Sequence, residues 1–227
     1  RDVCDRMEKE GLTPPPIANE LLSSGKQSFY KLHEGKTFYF DLSKKDYSEV
    51  LENPKVLRLQ NLKTSQARIQ ETSSCSIVDL GDGIICAEFH SKMNTIDPDI
   101  LTSLRLATDW VNEGKYDGIV IANQGDHFSA GANLKWILEE IRGKNWKKLE
   151  EAIRLFQDTN MALRFCKGPV VAAPHHYTFG GGIEISQHAA RVVMAAETYG
   201  GLVEFGVGVI PGAGGTKEML RRALQFA

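Results

Sequence analysis

Glu184 and Glu204 stand 20 positions apart in the most glycine-dense part of the chain, a separation that lets a helix, a strand and a turn return one carboxylate to the other. Two carboxyl groups in an apolar, glycine-lined cleft can work as acid and base, because burial and mutual repulsion pull their pKa values apart. The plainer alternative is that Glu184 only favours a helix dipole and Glu204 is a solvated turn residue. Just before Glu184, Gly180-Gly181-Gly182 follows an apolar strand at Pro169 to Pro174 and opens a short helix. N–H groups at such a start are unpaired and can hold a carbonyl oxygen that becomes anionic; a tight packing turn is the alternative. A second glycine turn, Phe128-Ser129-Ala130-Gly131-Ala132-Asn133-Leu134, also lies between a strand and a helix. Two such starts converging on one oxygen would form an oxyanion hole from backbone alone.

Phosphate-cradling readings of the glycines fail on spacing. Gly35-Lys36-Thr37 has Tyr30 where a Walker loop needs glycine, and Gly206-Val207-Gly208 has Pro211 where a dinucleotide fingerprint needs it. The adjacent His175 and His176 would point to opposite sides of an extended segment, so no metal site is expected. Ser129 lacks the glycine two positions before it that a nucleophile elbow has. Lys144, Lys147 and Lys148 with Glu150 and Glu151 read as a solvated helix face, and Cys4, Cys75, Cys86 and Cys166 as small core residues.

These residues need a scaffold, and the 227 residues are enough for a full domain and a smaller unit. A net charge of −2 gives no field to hold nucleic acid, and no apolar run reaches the ~18 residues of a membrane span. Scattered cysteines and the absence of an apolar signal core at the N-terminus point to a reduced, cytoplasmic protein. Val3 and Met7 share a helix face that Gly11 caps, Pro14 to Pro16 follow, and Ile17, Leu21 and Leu22 lead to a second cap at Gly25. Phe29 to Leu32 and Thr37 to Asp41 predict a hairpin. Residues 51–74 read as a linker broken at Pro54, with a boundary near Ser74. From Cys75, strands alternate with helices: a hairpin around Gly81-Asp82-Gly83, a helix from Asp97-Pro98 to Gly114, a strand at Gly118 to Asn123, helices at 134–142 and 146–165, and a buried strand at Arg191 to Ala196. An α/β fold is expected. Arg1 in place of Met, and a last helix from near Gly214 running into Gln225-Phe226-Ala227 with Met219 and Leu220 uncovered, read as the ends of a piece of a longer protein.

Residues 75–227 resemble the enoyl-CoA hydratase/isomerase (crotonase) family. The resemblance rests on Lys92-Met93-Asn94, Phe128 through Lys135, Pro169-Val170-Val171-Ala172-Ala173, Gly180-Gly181-Gly182-Ile183-Glu184, and Glu204 followed by Ile210-Pro211-Gly212-Ala213-Gly214-Gly215-Thr216. It implies a crotonase-like spiral of strand-strand-helix turns that binds an acyl-CoA, with the Ala132 and Gly181 N–H groups on the thioester oxygen. It further implies Glu184 and Glu204 as the catalytic pair, Lys92 and Lys135 as CoA-binding residues, and a homo-oligomer of trimer type for the full-length protein. No metal or separate cofactor is implied for hydration, CoA being part of the substrate. Residues 1–50 resemble the distal end of 3-hydroxyacyl-CoA dehydrogenases through Gly25-Lys26-Gln27-Ser28-Phe29-Tyr30 and the hairpin after it. That implies a fused bifunctional parent, with NAD belonging to a dehydrogenase part that is absent here. Three departures stand out: His176 where the family has glycine, Asn133 where aspartate is common, and no C-terminal helices to close the acyl pocket. An isomerase and a non-catalytic acyl-CoA-binding module remain as alternative activities; retention of both glutamates argues against each.

Overall fold

The computed structural model describes the chain apart from residues 52, 54, 65, 66 and 225–227, so the expected break at Pro54 and the end of the last helix lie outside the described residues. The chain divides into two units, Arg1–Gln66 and Ala67–Ala227.

In the first unit, α1 (Asp2–Lys9) and α2 (Pro16–Ser23) are followed by Gly11 and Gly25, both left-handed at φ 75° and 72°, the conformation a helix-ending glycine supplies at least cost. β1 (Tyr30–His33) and β2 (Lys36–Asp41) pair antiparallel around Glu34-Gly35, whose φ values of 49° and 75° suit a type I′ turn. A third strand, β3 (Asp46–Glu49), pairs with β2 and sets Tyr47 against Phe40. The short helix α3 (Leu59–Thr64) buries Leu59.

The stretch 51–74 is therefore not a plain linker. It contributes α3 to the first unit and β4 (Arg68–Glu71) to the second, and the division falls between 66 and 67 rather than near Ser74. Both β3 and β4 are edge strands held by backbone pairing, with little of the apolar alternation that marks a strand in sequence.

In the second unit, β5 (Cys75–Gly81) and β6 (Ile84–Phe89) form the expected hairpin, with positive φ at Gly81, Asp82 and Gly83. α4 (Pro98–Asn112) starts where Asp97 Oδ1 accepts a hydrogen bond from Ile100 N at 3.0 Å, and it buries Ile100, Leu104, Ala107 and Val111 against the sheet. Then come β7 (Gly118–Ala122), α5 (Leu134–Arg142), α6 (Trp146–Arg164), β8 (Val170–Ala172), β9 (Tyr177–Phe179), α7 (Gly181–His188), β10 (Arg191–Val192), β11 (Tyr199–Gly201) and α8 (Gly215–Leu224).

Six strands make one sheet in the order β10-β8-β7-β6-β5-β4, parallel from β6 to β10, while β9 and β11 pair in parallel on their own. The expected buried strand at Arg191 to Ala196 is corrected: only Arg191–Val192 pair, at the sheet edge, and Val193 and Met194 are 55% and 51% exposed. Among the described residues no helix is long and apolar enough to cross a membrane. Because strand order never reverses, the sheet has no switch-point crevice of the kind that holds nucleotides in doubly wound folds, and a ligand site must be built from the segments beyond the strands.

Candidate active site

Two glycine turns meet at the end of β9. Ser129 N donates to Tyr177 O at 3.1 Å and Phe179 N to Ser129 O at 2.9 Å, so the 129–132 segment runs beside β9 into α7. Ser129 is fully buried; its Oγ donates to Asn94 O at 2.7 Å and accepts from Gly131 N at 3.1 Å, which makes it a brace for the turn rather than a nucleophile. A Cβ on Gly182 would lie 2.6 Å from Ser129 Cβ, and one on Gly131 (φ 90°) would lie 3.0 Å from Phe179 O and 3.5 Å from Gly181 N. Only glycine lets the turns approach this closely.

The approach aims two donors. Gly131 O accepts from Ile96 N at 2.8 Å, and since a trans peptide sets N–H opposite C=O, the Ala132 N–H faces away from Ile96. Gly180 O accepts from Glu184 N at 3.0 Å, so the Gly181 N–H points out of the start of α7. Among the described residues neither N–H donates a hydrogen bond within the protein.

Glu184 lies in the first turn of α7 and is 2% exposed. Its Oε1 accepts from Ala213 N and Gly215 N, both at 2.9 Å, at the start of α8. Burial pushes its pKa up; the two N–H bonds pull it down and the Glu204 charge pushes it up again, leaving it raised. Glu204 opens a 3-10 turn, Glu204–Val207, and its Oε1 lies 3.1 Å from where a Cβ on Gly180 would be. Its Oε2 is buried and has no hydrogen-bond partner among the described residues. The fold thus brings Glu184, Glu204, Ala132 and Gly181 to one place.

Each of the remaining candidates has surroundings of its own. Lys92 is exposed in a 3-10 turn, and the Lys135 side chain is 88% exposed, its Nζ 3.9 Å from Glu139 Oε1. Asn133 serves as the N-cap of α5, its Oδ1 accepting from Trp136 N at 3.2 Å, a job aspartate would do equally well. His176 is left-handed at φ 46°, which accounts for glycine being the easier residue there. The residue is exposed, and its ring stacks on His127, Nδ1 to Nδ1 at 2.8 Å.

The Ala213 and Gly215 amides were not anticipated as partners of Glu184. Gly212-Ala213-Gly214-Gly215 ahead of a helix is the same glycine-rich signature that marks the other two starts, and the same logic would have found them.

Residues 80–226 match the family described as Enoyl-CoA hydratase/isomerase. A protein of Bacillus subtilis (strain 168) named "Probable 3-hydroxyacyl-CoA dehydrogenase" is 42% identical over 219 residues, covering 96% of this chain and 27% of its own length. The chain thus spans about a quarter of that curated relative. Among solved structures, an enoyl-CoA hydratase from Bacillus anthracis is 25% identical with a TM-score of 0.59, covering 66% of this chain and 58% of its own. DspI of Pseudomonas aeruginosa is 28% identical with a TM-score of 0.58, covering 68% and 62%.

Proposed function

Because the chain belongs to the enoyl-CoA hydratase/isomerase family and has its crotonase-like α/β fold, we propose that it hydrates the 2,3 double bond of an enoyl-CoA thioester. The observation that carries this reading is the meeting of two unpaired helix-start amides with two carboxyl groups, Glu184 and Glu204, around Gly180.

The thioester oxygen accepts hydrogen bonds from the Ala132 and Gly181 N–H groups. Polarising the carbonyl draws electrons from C3, and the charge that develops on oxygen meets dipoles already fixed in place. Glu184, held by two amides, takes a proton from water as the water oxygen bonds to C3. The electron pair of the double bond takes a proton at C2 from Glu204, whose buried Oε2 has no partner among the described residues. One water is added, and the proton gained by Glu184 balances the one lost by Glu204.

Lys92 and Lys135 supply exposed cations for the CoA nucleotide. Within the same reading, the parent is a fused 3-hydroxyacyl-CoA dehydrogenase and enoyl-CoA hydratase, cytoplasmic, and assembled as a homo-oligomer of trimer type. NAD belongs to its dehydrogenase part: the described residues of Arg1–Gln66 hold no parallel strand-helix-strand unit, so they do not fit that cofactor and no step runs through it.

The test is the full-length protein given 2-enoyl-CoA thioesters of short, medium and long chain, read as loss of the conjugated thioester absorbance. An unchanged signal with all of them removes the hydratase reading. A gain of that absorbance from 3-enoyl-CoA, with no hydration, reassigns the site to isomerisation.

A further inference from the structure

Three side chains of α6 grip the segment that grips Glu184. Gln157 Nε2 donates to Gly212 O at 2.7 Å, Asn160 Nδ2 donates to Ala213 O at 3.0 Å, and Arg164 Nη1 donates to Glu218 Oε2 at 2.9 Å. Positions 157, 160 and 164 share one face of a helix, so a single rigid stripe meets the loop before α8 and the first turn of α8 together. Between those contacts lie the Ala213 and Gly215 amides that hold Glu184 Oε1.

Two features of the stripe are poorly explained by packing. Asn160 is fully buried, and while its amide serves Ala213 O, which as a carbonyl can only accept, its own Oδ1 has no hydrogen-bond partner among the described residues. An apolar residue there would avoid that desolvation. Glu218 is also fully buried, in the first turn of α8. Its Oε2 takes Arg164 and Arg221, the latter through Nε at 2.6 Å, while its Oε1 lies 3.2 Å from Lys217 Nζ and 3.9 Å from His188 Nε2. Burying a charge is costly unless partners meet it from fixed positions, so Glu218 ties α8 to the end of α6. His188, one turn after Glu184, donates from Nδ1 to Glu184 O at 2.7 Å and completes the link to α7. Gly215 must stay bare, since a Cβ there would lie 2.7 Å from Glu184 Cγ.

We propose that Gln157, Asn160 and Arg164, the last acting through Glu218, are positioning residues that hold the 212–218 segment so that the Ala213 and Gly215 amides fix the aim of the Glu184 carboxylate. For catalysis this rests on Glu184 being the water-activating group. N–H donors favour the ionised carboxylate, so loosening the brace lets burial and the facing Glu204 charge act with less opposition. The other charged or titratable groups in line with Glu184 are His188 on its own helix and, beyond it, Glu218 with Lys217, Arg164 and Arg221.

The experiment uses the full-length protein and the variants Asn160→Leu, Gln157→Leu and Glu218→Gln, with folding checked by circular dichroism. Glutamate labelled with carbon-13 at the carboxyl carbon is titrated by NMR, the Glu184 signal being identified by its loss in Glu184→Gln. The expected result is a Glu184 midpoint moved to higher pH in each variant, with kcat on a short 2-enoyl-CoA reduced by roughly 10- to 100-fold and KM little changed. Gln157 is exposed, so its variant decides the matter if a buried substitution prevents folding. An unmoved midpoint in folded variants overturns the brace, whether or not the wild type is active. Absence of wild-type turnover overturns the hydratase reading instead, and the titration still judges the brace.

Discussion

The starts of α7 and α8 are built from similar sequence and end in opposite states. Each is a glycine-rich turn that leaves backbone N–H groups pointing away from the helix, where the dipole favours negative charge. At α8 those groups are filled from within, by Glu184 Oε1 on the Ala213 and Gly215 amides. At α7 the Gly181 N–H has no partner among the described residues, and Ala132 adds a second free donor beside it. Glycine-rich helix starts are therefore not interchangeable signals of a ligand. What distinguishes them is whether the fold delivers a carboxylate of its own, and here it delivers one to the start that supports the site and none to the start that forms it.

The sharpest way to break this contrast is to remove either carboxylate. Glu184→Gln and Glu204→Gln in the full-length protein are each expected to lower turnover by roughly 10²- to 10⁴-fold while acyl-CoA binding persists. Near-normal hydration by both variants would show that the filled and open starts are equally structural.

A substitution at the filled start should come next in size. Gly215→Ala places a Cβ 2.7 Å from Glu184 Cγ and 2.8 Å from Leu202 Cδ2, so a loss of about 1–3 kcal/mol in urea unfolding is expected, together with reduced turnover. Gly201→Ala, which meets nothing within 4 Å, serves as the control and should stay within about 0.5 kcal/mol of wild type. Equal effects at the two positions would mean that the close approach to Glu184 is not what Gly215 provides.

The raised pKa of Glu184 makes a third prediction with a definite sign. Its folded-state pKa lies above the unfolded value because burial, aided by Glu204, disfavours the charge. The folded state therefore holds the proton more tightly, and the associated stability is fully present below the unfolded pKa and is lost as pH rises through the folded one. Glu184→Gln should accordingly be more stable relative to wild type at neutral pH than at pH values below the ordinary carboxylate range. Urea titrations at both pH values, giving the same difference, would sink the assignment of a raised pKa.

The smallest effect is expected at His176. Replacing it with glycine relieves a left-handed φ of 46° but removes the contact with His127 and adds chain freedom. These terms oppose one another, so stability should change by less than about 0.5 kcal/mol and turnover not at all. Altered chain-length preference in His176→Gly would show that the ring reaches the substrate.

Much of the scaffold could be read from sequence wherever local chemistry and burial agree. Asp97-Pro98 marked the start of α4 because a capping side chain and a proline at the first helical position act within one turn. The two glycine turns at 128–134 and 180–182 were legible because close backbone approach needs a residue type with no side chain. The edge strands β3 and β4 were not, since pairing one edge through the backbone imposes almost no residue pattern. Glu218 was equally hidden. In sequence it sits beside Lys217 like any surface charge, and its partner Arg164 lies 54 positions away. Glu184, Glu204, Ala132 and Gly181 come together from four separate stretches of sequence, yet what holds Glu184 depends on long-range contacts that no local pattern records.

The order of the six-stranded sheet carries a consequence for how the protein is made. From β4 to β8 each strand lies beside the one synthesised before it, and β10 joins after β9 has stepped aside to its own small sheet. No strand has to wait for a later one to be threaded between its neighbours. The early pairings close short loops, and the longer connection from β7 to β8 carries α5 and α6, so closure is met stepwise rather than all at once. A sheet so ordered can grow along the growing chain, with α4 covering it before the second half has been translated. Glu184, Glu204 and the amides at 213 and 215 all come after β8, so the carboxylate pair is assembled late, on a surface that already exists to receive it.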